Sequence, residues 1–127
     1  MKTEWQILFV ALGGALGALS RYGISQFIAR VSQHPFPLGT LIANVVGCFL
    51  IGVLIGSGTQ DHNHTVRLGI GVGFLGALTT FSTFGAETIK HIQSDEWALA
   101  IGNVSANLIL GLLAVALGIA AGKKLFG

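Results

Sequence analysis

From Val31 to Gln60 the chain reads VSQHPFPLGTLIANVVGCFLIGVLIGSGTQ, 30 residues without one acidic or basic side chain. Its part from Leu38 onward is long enough to cross a bilayer core of about 30 Å, which takes roughly 20 apolar residues in a helix. Three more charge-free stretches exist, Trp5 to Ser20, Leu68 to Ala86 and Trp97 to Gly122, of 16, 19 and 26 residues. Only 9% of the 127 residues are charged and 52% are hydrophobic, with a mean hydropathy of +0.76. A soluble domain carries far more charge. The expected fold class is an all-α membrane protein with four transmembrane helices over 4–29, 38–58, 65–92 and 95–122, one domain spanning 1–127, its third helix broken near the middle.

The breaks between spans are written in prolines and polar residues. Pro35 and Pro37 end the first helix, because the residue before a proline is pushed out of helical torsions. The run Gly58-Thr-Gln-Asp-His-Asn-His64 makes the second connection. Ser94 reads as an N-cap with Asp95 and Glu96 in the first turn of the last helix, so the last two helices are antiparallel neighbours. Glycines recur at small-xxx-small spacing, as Gly13/Gly17, Gly52/Gly56, Gly69/Gly73 and Gly118/Gly122, which points to close helix contact. Cys48 is the single cysteine, so no intrachain disulfide is available and a packing role is expected. Three spans after the first argue against reading the N-terminus as a secretory leader. The net charge of +2 comes from scattered helix-end residues, not a basic stripe, which argues against nucleic-acid binding.

Four spans put both termini on one face, with Lys2, Arg67, Lys123 and Lys124 there against Arg30, Lys90 and Arg21 on the other. So weak a positive-inside bias leaves room for insertion both ways up and for an antiparallel dimer.

The chemistry concentrates in Gly76-Ala-Leu-Thr-Thr-Phe-Ser-Thr-Phe-Gly85. Thr79, Thr80, Ser82 and Thr83 sit near mid-membrane, where something other than lipid must satisfy their hydroxyls. Two readings compete: a broken helix whose freed carbonyls and amides face a cavity or ion, and a regular helix whose hydroxyls bond their own i−4 carbonyls. Phe81 and Phe84, three apart, share a face, which by itself is core packing. A phenyl ring also has a positive edge that can solvate an anion without a titrating cation. Thr40 and Asn44 on the second helix, and Asn103 and Asn107 on the fourth, repeat an i,i+4 spacing. Such stripes serve interhelical hydrogen bonding or, beside a hydroxyl-rich break, a polar path.

No carboxylate or lysine lies near the centre of a span. A proton-coupled antiporter needs an embedded acid, and a cation channel an acidic or carbonyl-lined filter. A small multidrug exporter of the four-helix, dual-topology kind would carry a glutamate in its first helix, and residues 5–20 contain none. A non-transporting membrane subunit would need only the glycine faces. The charged residues assemble no nucleophile, base and orienting acid, so an enzyme is not expected. Arg21 either snorkels to the interface or sits at a vestibule that concentrates anions. His34, His62, His64 and His91 read as solvated loop or helix-end residues.

Three stretches carry a family resemblance: Gly13-Gly-Ala-Leu-Gly-Ala-Leu-Ser-Arg-Tyr22, Gly39-Thr-Leu-Ile-Ala-Asn-Val-Val-Gly47 and Gly73-Phe-Leu-Gly-Ala-Leu-Thr-Thr-Phe-Ser-Thr-Phe84. They resemble the signature stretches of the Fluc family of bacterial fluoride channels. The resemblance implies an antiparallel, dual-topology homodimer in the inner membrane, with two fluoride pathways built from both subunits and passive fluoride export as protection. By motif position it implies that Phe81, Phe84 and Asn44 line the pathway, with Ser82 and Thr83 near it and Arg21 at its vestibule. Thr40 and Asn107 join them from the polar stripes. The resemblance further implies a central structural sodium ion held by the carbonyls of Gly76 and Thr79. The fourth helix matches less clearly, offering Asn103, Ser105 and Asn107 where a run of hydroxyls is expected.

Overall fold

The computed structural model describes residues 2–58 and 63–127, and every regular element among them is helical. The order is α1 (Lys2–Val31), α2 (Leu38–Gly56), α3 (His64–Leu68), a π-helix (Gly69–Leu75), α4 (Gly76–Leu78), α5 (Phe81–Gln93) and α6 (Trp97–Phe126). Four passages, Lys2–Val31, Leu38–Gly56, His64–Gln93 and Trp97–Phe126, are long and apolar enough to cross a membrane. Asp61 and His62, expected in the second connection, lie outside the described residues.

The side chains are arranged inside out relative to a soluble protein. The buried apolar set is Ala43, Leu75, Leu78, Phe84, Ala100 and Ala114, while Leu12, Leu16, Leu19, Leu112 and Leu117 point outward. Lipid tails are as apolar as leucine, so burying large side chains gains little and close backbone contact holds helices together. Glycine makes that contact possible. A Cβ at Gly13 would overlap the Gly69 carbonyl, and one at Gly17 the Phe74 carbonyl, which locks α1 onto the third passage. On the other side, a Cβ at Gly52 would overlap the Val115 carbonyl, one at Gly56 the Ile119 carbonyl and one at Gly118 the Phe49 carbonyl. The small-xxx-small pairs expected from spacing thus face one another as α1 on the third passage and α2 on α6.

The third passage has an uneven winding. Its π-helical turns contain Gly69, Gly71 and Gly73, and the Gly76 N–H closes the stretch onto the carbonyls of Gly71 and Gly73. An extra residue per turn is a rare local form, found where a helix is shaped by something other than propensity. The stretch lies close against α1, where a Cβ on Gly73 would come within 2.6 Å of the Val10 carbonyl.

The helix ends require two corrections. Ser94 closes α5 rather than opening α6: its N–H donates to the Lys90 and His91 carbonyls, and Asp95 turns into the left-handed region at φ 57°. Glu96 then donates its N–H to the His91 carbonyl at 2.8 Å and presents its carboxylate to His91 Nδ1 at 2.6 Å, so α6 begins at Trp97. The turn satisfies the carbonyls of the helix it ends before the next one starts. His91 is accordingly buried and paired instead of solvated. His34 and His64 do lie at exposed positions, in the first connection and at the start of α3.

Candidate functional site

Between α4 and α5 two residues leave the helical torsions: Thr79 at φ −84°, ψ 153° and Thr80 at φ −148°, ψ 117°. β-branched residues tolerate extended backbone well. Thr79 stays tied to the preceding turn, donating from both its N–H (3.1 Å) and its Oγ1 (3.0 Å) to the Leu75 carbonyl. Thr80 starts the next helix: its Oγ1 accepts the Thr83 N–H at 3.2 Å, an N-cap, and donates to Thr83 Oγ1 at 3.0 Å. Ser82 Oγ lies 3.3 Å from the same hydroxyl.

The Thr80 backbone finds its partners on another helix. Its N–H, whose helical acceptor would be the Gly76 carbonyl, donates instead to Asn44 Oδ1 at 2.8 Å. Asn44 Nδ2 returns a longer bond of 3.3 Å to the Thr80 carbonyl. A side-chain amide carries the same donor and acceptor as a peptide unit, so Asn44 takes the place of the missing helical neighbours. The close approach of α2 needed for this depends on Gly47, where a Cβ would overlap Thr79 Cγ2.

Polar bonding continues into α6 and returns to α5. Asn44 Nδ2 donates to Asn107 Oδ1 at 2.9 Å, and Asn107 Nδ2 donates to both Asn103 O and Asn103 Oδ1, each at 2.9 Å. Asn103, fully buried, donates to Thr88 Oγ1 at 3.0 Å, and Thr88 Oγ1 donates to the Phe84 carbonyl at 2.8 Å.

Phe81 and Phe84 lie immediately beyond the interruption, ring centroids 5.5 Å apart and planes at 50°. Phe84 is buried, whereas Phe81 is 82% exposed on the single chain. An open cavity of about 390 Å³ runs past them, lined by Asn44, Cys48, Gly76, Thr79, Phe81 and Asn107 among others.

The structure therefore brings Asn44, Asn107, Phe81, Phe84, Gly76 and Thr79 to one cavity, with Thr83 and the exposed Ser82 on the first turn of α5 beside it. Two expected residues lie elsewhere. Thr40 donates to Glu87 Oε1 at 2.7 Å, further along α5, and the other oxygen, Glu87 Oε2, is buried without a hydrogen-bond partner among the described residues. Arg21 is half-buried, and its Nε donates to the Ala77 carbonyl at 3.0 Å, on the turn before the interruption.

Thr80, singled out in the sequence for its mid-membrane hydroxyl, also caps α5, and two further contributors went unmarked. Thr88 and Glu87 carried no local signal, because their partners, Asn103 and Thr40, are distant in sequence and meet them only in the folded bundle.

No group of three or more His, Cys, Asp or Glu side chains is gathered among the described residues. The oxygen atoms at the interruption are side-chain hydroxyl and amide oxygens and main-chain carbonyls. That of Gly76 is released from its helical donor because the Thr80 N–H turns to Asn44. A carbonyl of this kind is a hard oxygen donor that fits a small alkali cation.

The sequence pattern of the family described as CrcB-like protein, Camphor Resistance (CrcB) matches residues 8–119. The chain is 43% identical over 122 residues to the "Fluoride-specific ion channel FluC" of Dehalococcoides mccartyi strain CBDB1, covering 94% of each chain. It is 50% identical over 113 residues to the protein of the same name from Shewanella putrefaciens strain CN-32, covering 88% of this chain and 91% of the relative. The like-named protein of Shewanella woodyi is 48% identical over the same length.

Proposed function

This chain belongs to the CrcB-like protein family and is a multi-pass membrane protein, and from that premise we propose that it is a fluoride-selective channel allowing passive export of fluoride from the bacterial cytoplasm. The observation that carries the proposal is the 43–50% identity, over most of the chain, to relatives named as fluoride-specific ion channels. The chemistry of the cavity supports it. Fluoride is a small, hard anion that must exchange its water for donors, and a path without lysine or carboxylate at its narrow part holds no ion too tightly to release. Ring edges of Phe81 and Phe84 offer positive potential, and the hydroxyls of Ser82 and Thr83 offer hydrogen bonds within one turn. Asn44 and Asn107 form the polar wall opposite. Arg21 and Thr40 belong to the flanks of this path, Arg21 drawing anions toward the interruption and Thr40 presenting its hydroxyl near Glu87.

The working unit of the proposal is an antiparallel, dual-topology homodimer in the inner membrane, surrounded by lipid, with two pores shared between the subunits. An exposed Phe81 ring beside an open cavity suits a wall that a second copy completes. The break in the third helix at Thr79 and Thr80 is the functional centre of this reading. A structural sodium ion at the dimer centre would be held by the carbonyls of Gly76 and Thr79; when bound it supplies a fixed positive charge where two helix interruptions meet.

Expression in a fluoride-sensitive bacterial strain tests the proposal. The chain should restore growth in fluoride, and a form with Phe81→Ile and Phe84→Ile, inserted to the same level, should not. No restoration by the unaltered, membrane-inserted chain would refute it.

A further inference from the structure

The amides of α2 and α6 form a hydrogen-bond relay with one direction only. The Thr80 N–H can only donate, so Asn44 must turn Oδ1 toward it. That leaves Asn44 Nδ2 for α6, where Asn107 must present Oδ1. Asn107 Nδ2 then faces the Asn103 carbonyl and Oδ1, both acceptors. Asn103 Nδ2 in turn faces Thr88 Oγ1, whose own hydrogen goes to the Phe84 carbonyl. Every orientation follows from the one before, and the relay begins and ends on backbone atoms of the third passage, on either side of Phe81. In a low-dielectric interior such chains strengthen their members and tolerate one arrangement.

We infer that Asn103 and Asn107 are positioning residues, acting through Asn44 to hold the Thr79–Thr80 interruption and the start of α5 in place, rather than ligands of the permeating ion. Both primary amides of α6 have their donors engaged inside the fold. The polar track on the fourth helix of this chain is thus a brace for the Phe81–Phe84 turn. Only the flux arm of the test rests on the channel reading above.

The test is hydrogen exchange of the Thr80 amide by NMR in the full chain reconstituted in lipid nanodiscs, with fluoride flux per folded protein measured in parallel. Asn107→Leu should speed Thr80 exchange roughly 3- to 10-fold, the scale of one interhelical hydrogen bond in a membrane. Thr88→Val, which keeps the side chain's shape, should speed it about 2- to 3-fold through the relay. Amides in the glycine contact of α2 and α6, such as Val53 and Ile119, should not move, and flux should fall with both variants. Thr80 exchange unchanged in either folded variant overturns the inference, and flux lost with Thr80 unmoved would assign Asn107 to the ion itself. If Asn107→Leu does not fold, Thr88→Val decides alone. A wild-type protein without flux would sink the channel reading while the exchange data still judge the relay.

Discussion

Helices α2 and α6 meet twice, by two different means. Toward the C-terminal ends of both helices they touch through Gly52, Gly56, Gly118 and Gly122, backbone against backbone with no room for a Cβ. Toward their N-terminal halves they touch through Asn44 and Asn107, amide to amide, with Asn103 behind Asn107 on α6. The glycine contact joins two regular helices whose backbone groups are already satisfied, so it needs only closeness. The amide contact lies beside Thr79 and Thr80, where the Thr80 N–H turns away from its helical acceptor. Hydrocarbon supplies no acceptor in its place. One helix pair thus provides cohesion at one end and, at the other, the polar atoms that make a non-helical backbone tolerable inside a membrane.

Breaking the glycine end should have the largest effect. Gly118→Leu drives a side chain into the Phe49 carbonyl and should cost about 3 kcal/mol or more, seen as loss of the monodisperse peak and of thermal stability in detergent. An unchanged melting curve would mean the helices separate at that end with ease. Breaking the amide end should cost less: Asn44→Leu takes away the partner of the Thr80 N–H and the donor to Asn107 Oδ1, worth about 1–3 kcal/mol, read from chemical unfolding. Unlike the glycine change, it should abolish fluoride flux in protein that still folds. The hairpin turn between α5 and α6 should matter least among the polar contacts. Glu96 is 45% exposed, so Glu96→Gln should shift stability by less than about 1 kcal/mol, and a larger loss would show that the turn, not the amide end, anchors α5. Phe81→Ile, at a ring 82% exposed on the single chain, should change the stability of the monomeric fold by less than about 0.5 kcal/mol.

The glycine end was legible in the sequence, because spacing alone selects which glycines share a helix face. Four spans were legible as well, since only twelve charged residues punctuate the chain. The polar half was readable as a list but not as a circuit. Asn44, Asn103 and Asn107 stood out as donors in apolar helices, yet nothing local says that Asn44 would bond the Thr80 backbone or that Thr40 would bond Glu87. Arg21, read as snorkelling or standing at a vestibule, gave no sign of its partner, because the Ala77 carbonyl is a backbone atom on another passage. The π-helical turn from Gly69 to Leu75 had no local signal either, although its Gly69 and Gly73 lie close against the Phe9 and Val10 backbone of α1. The turn at Ser94 to Glu96 misled because a serine followed by two acids satisfies the rules for a helix start, while the His91 carbonyl and ring recruited Glu96 to end the helix before it.

The most direct test of the account is fluoride efflux, followed with a fluoride electrode, from liposomes holding the purified protein, with a potassium ionophore to carry countercharge and chloride-loaded vesicles as control. The account predicts rapid fluoride loss with little chloride loss, and fluoride loss reduced to that of empty vesicles by Asn44→Leu. Well-folded protein that releases no fluoride, or releases chloride as fast, would contradict it.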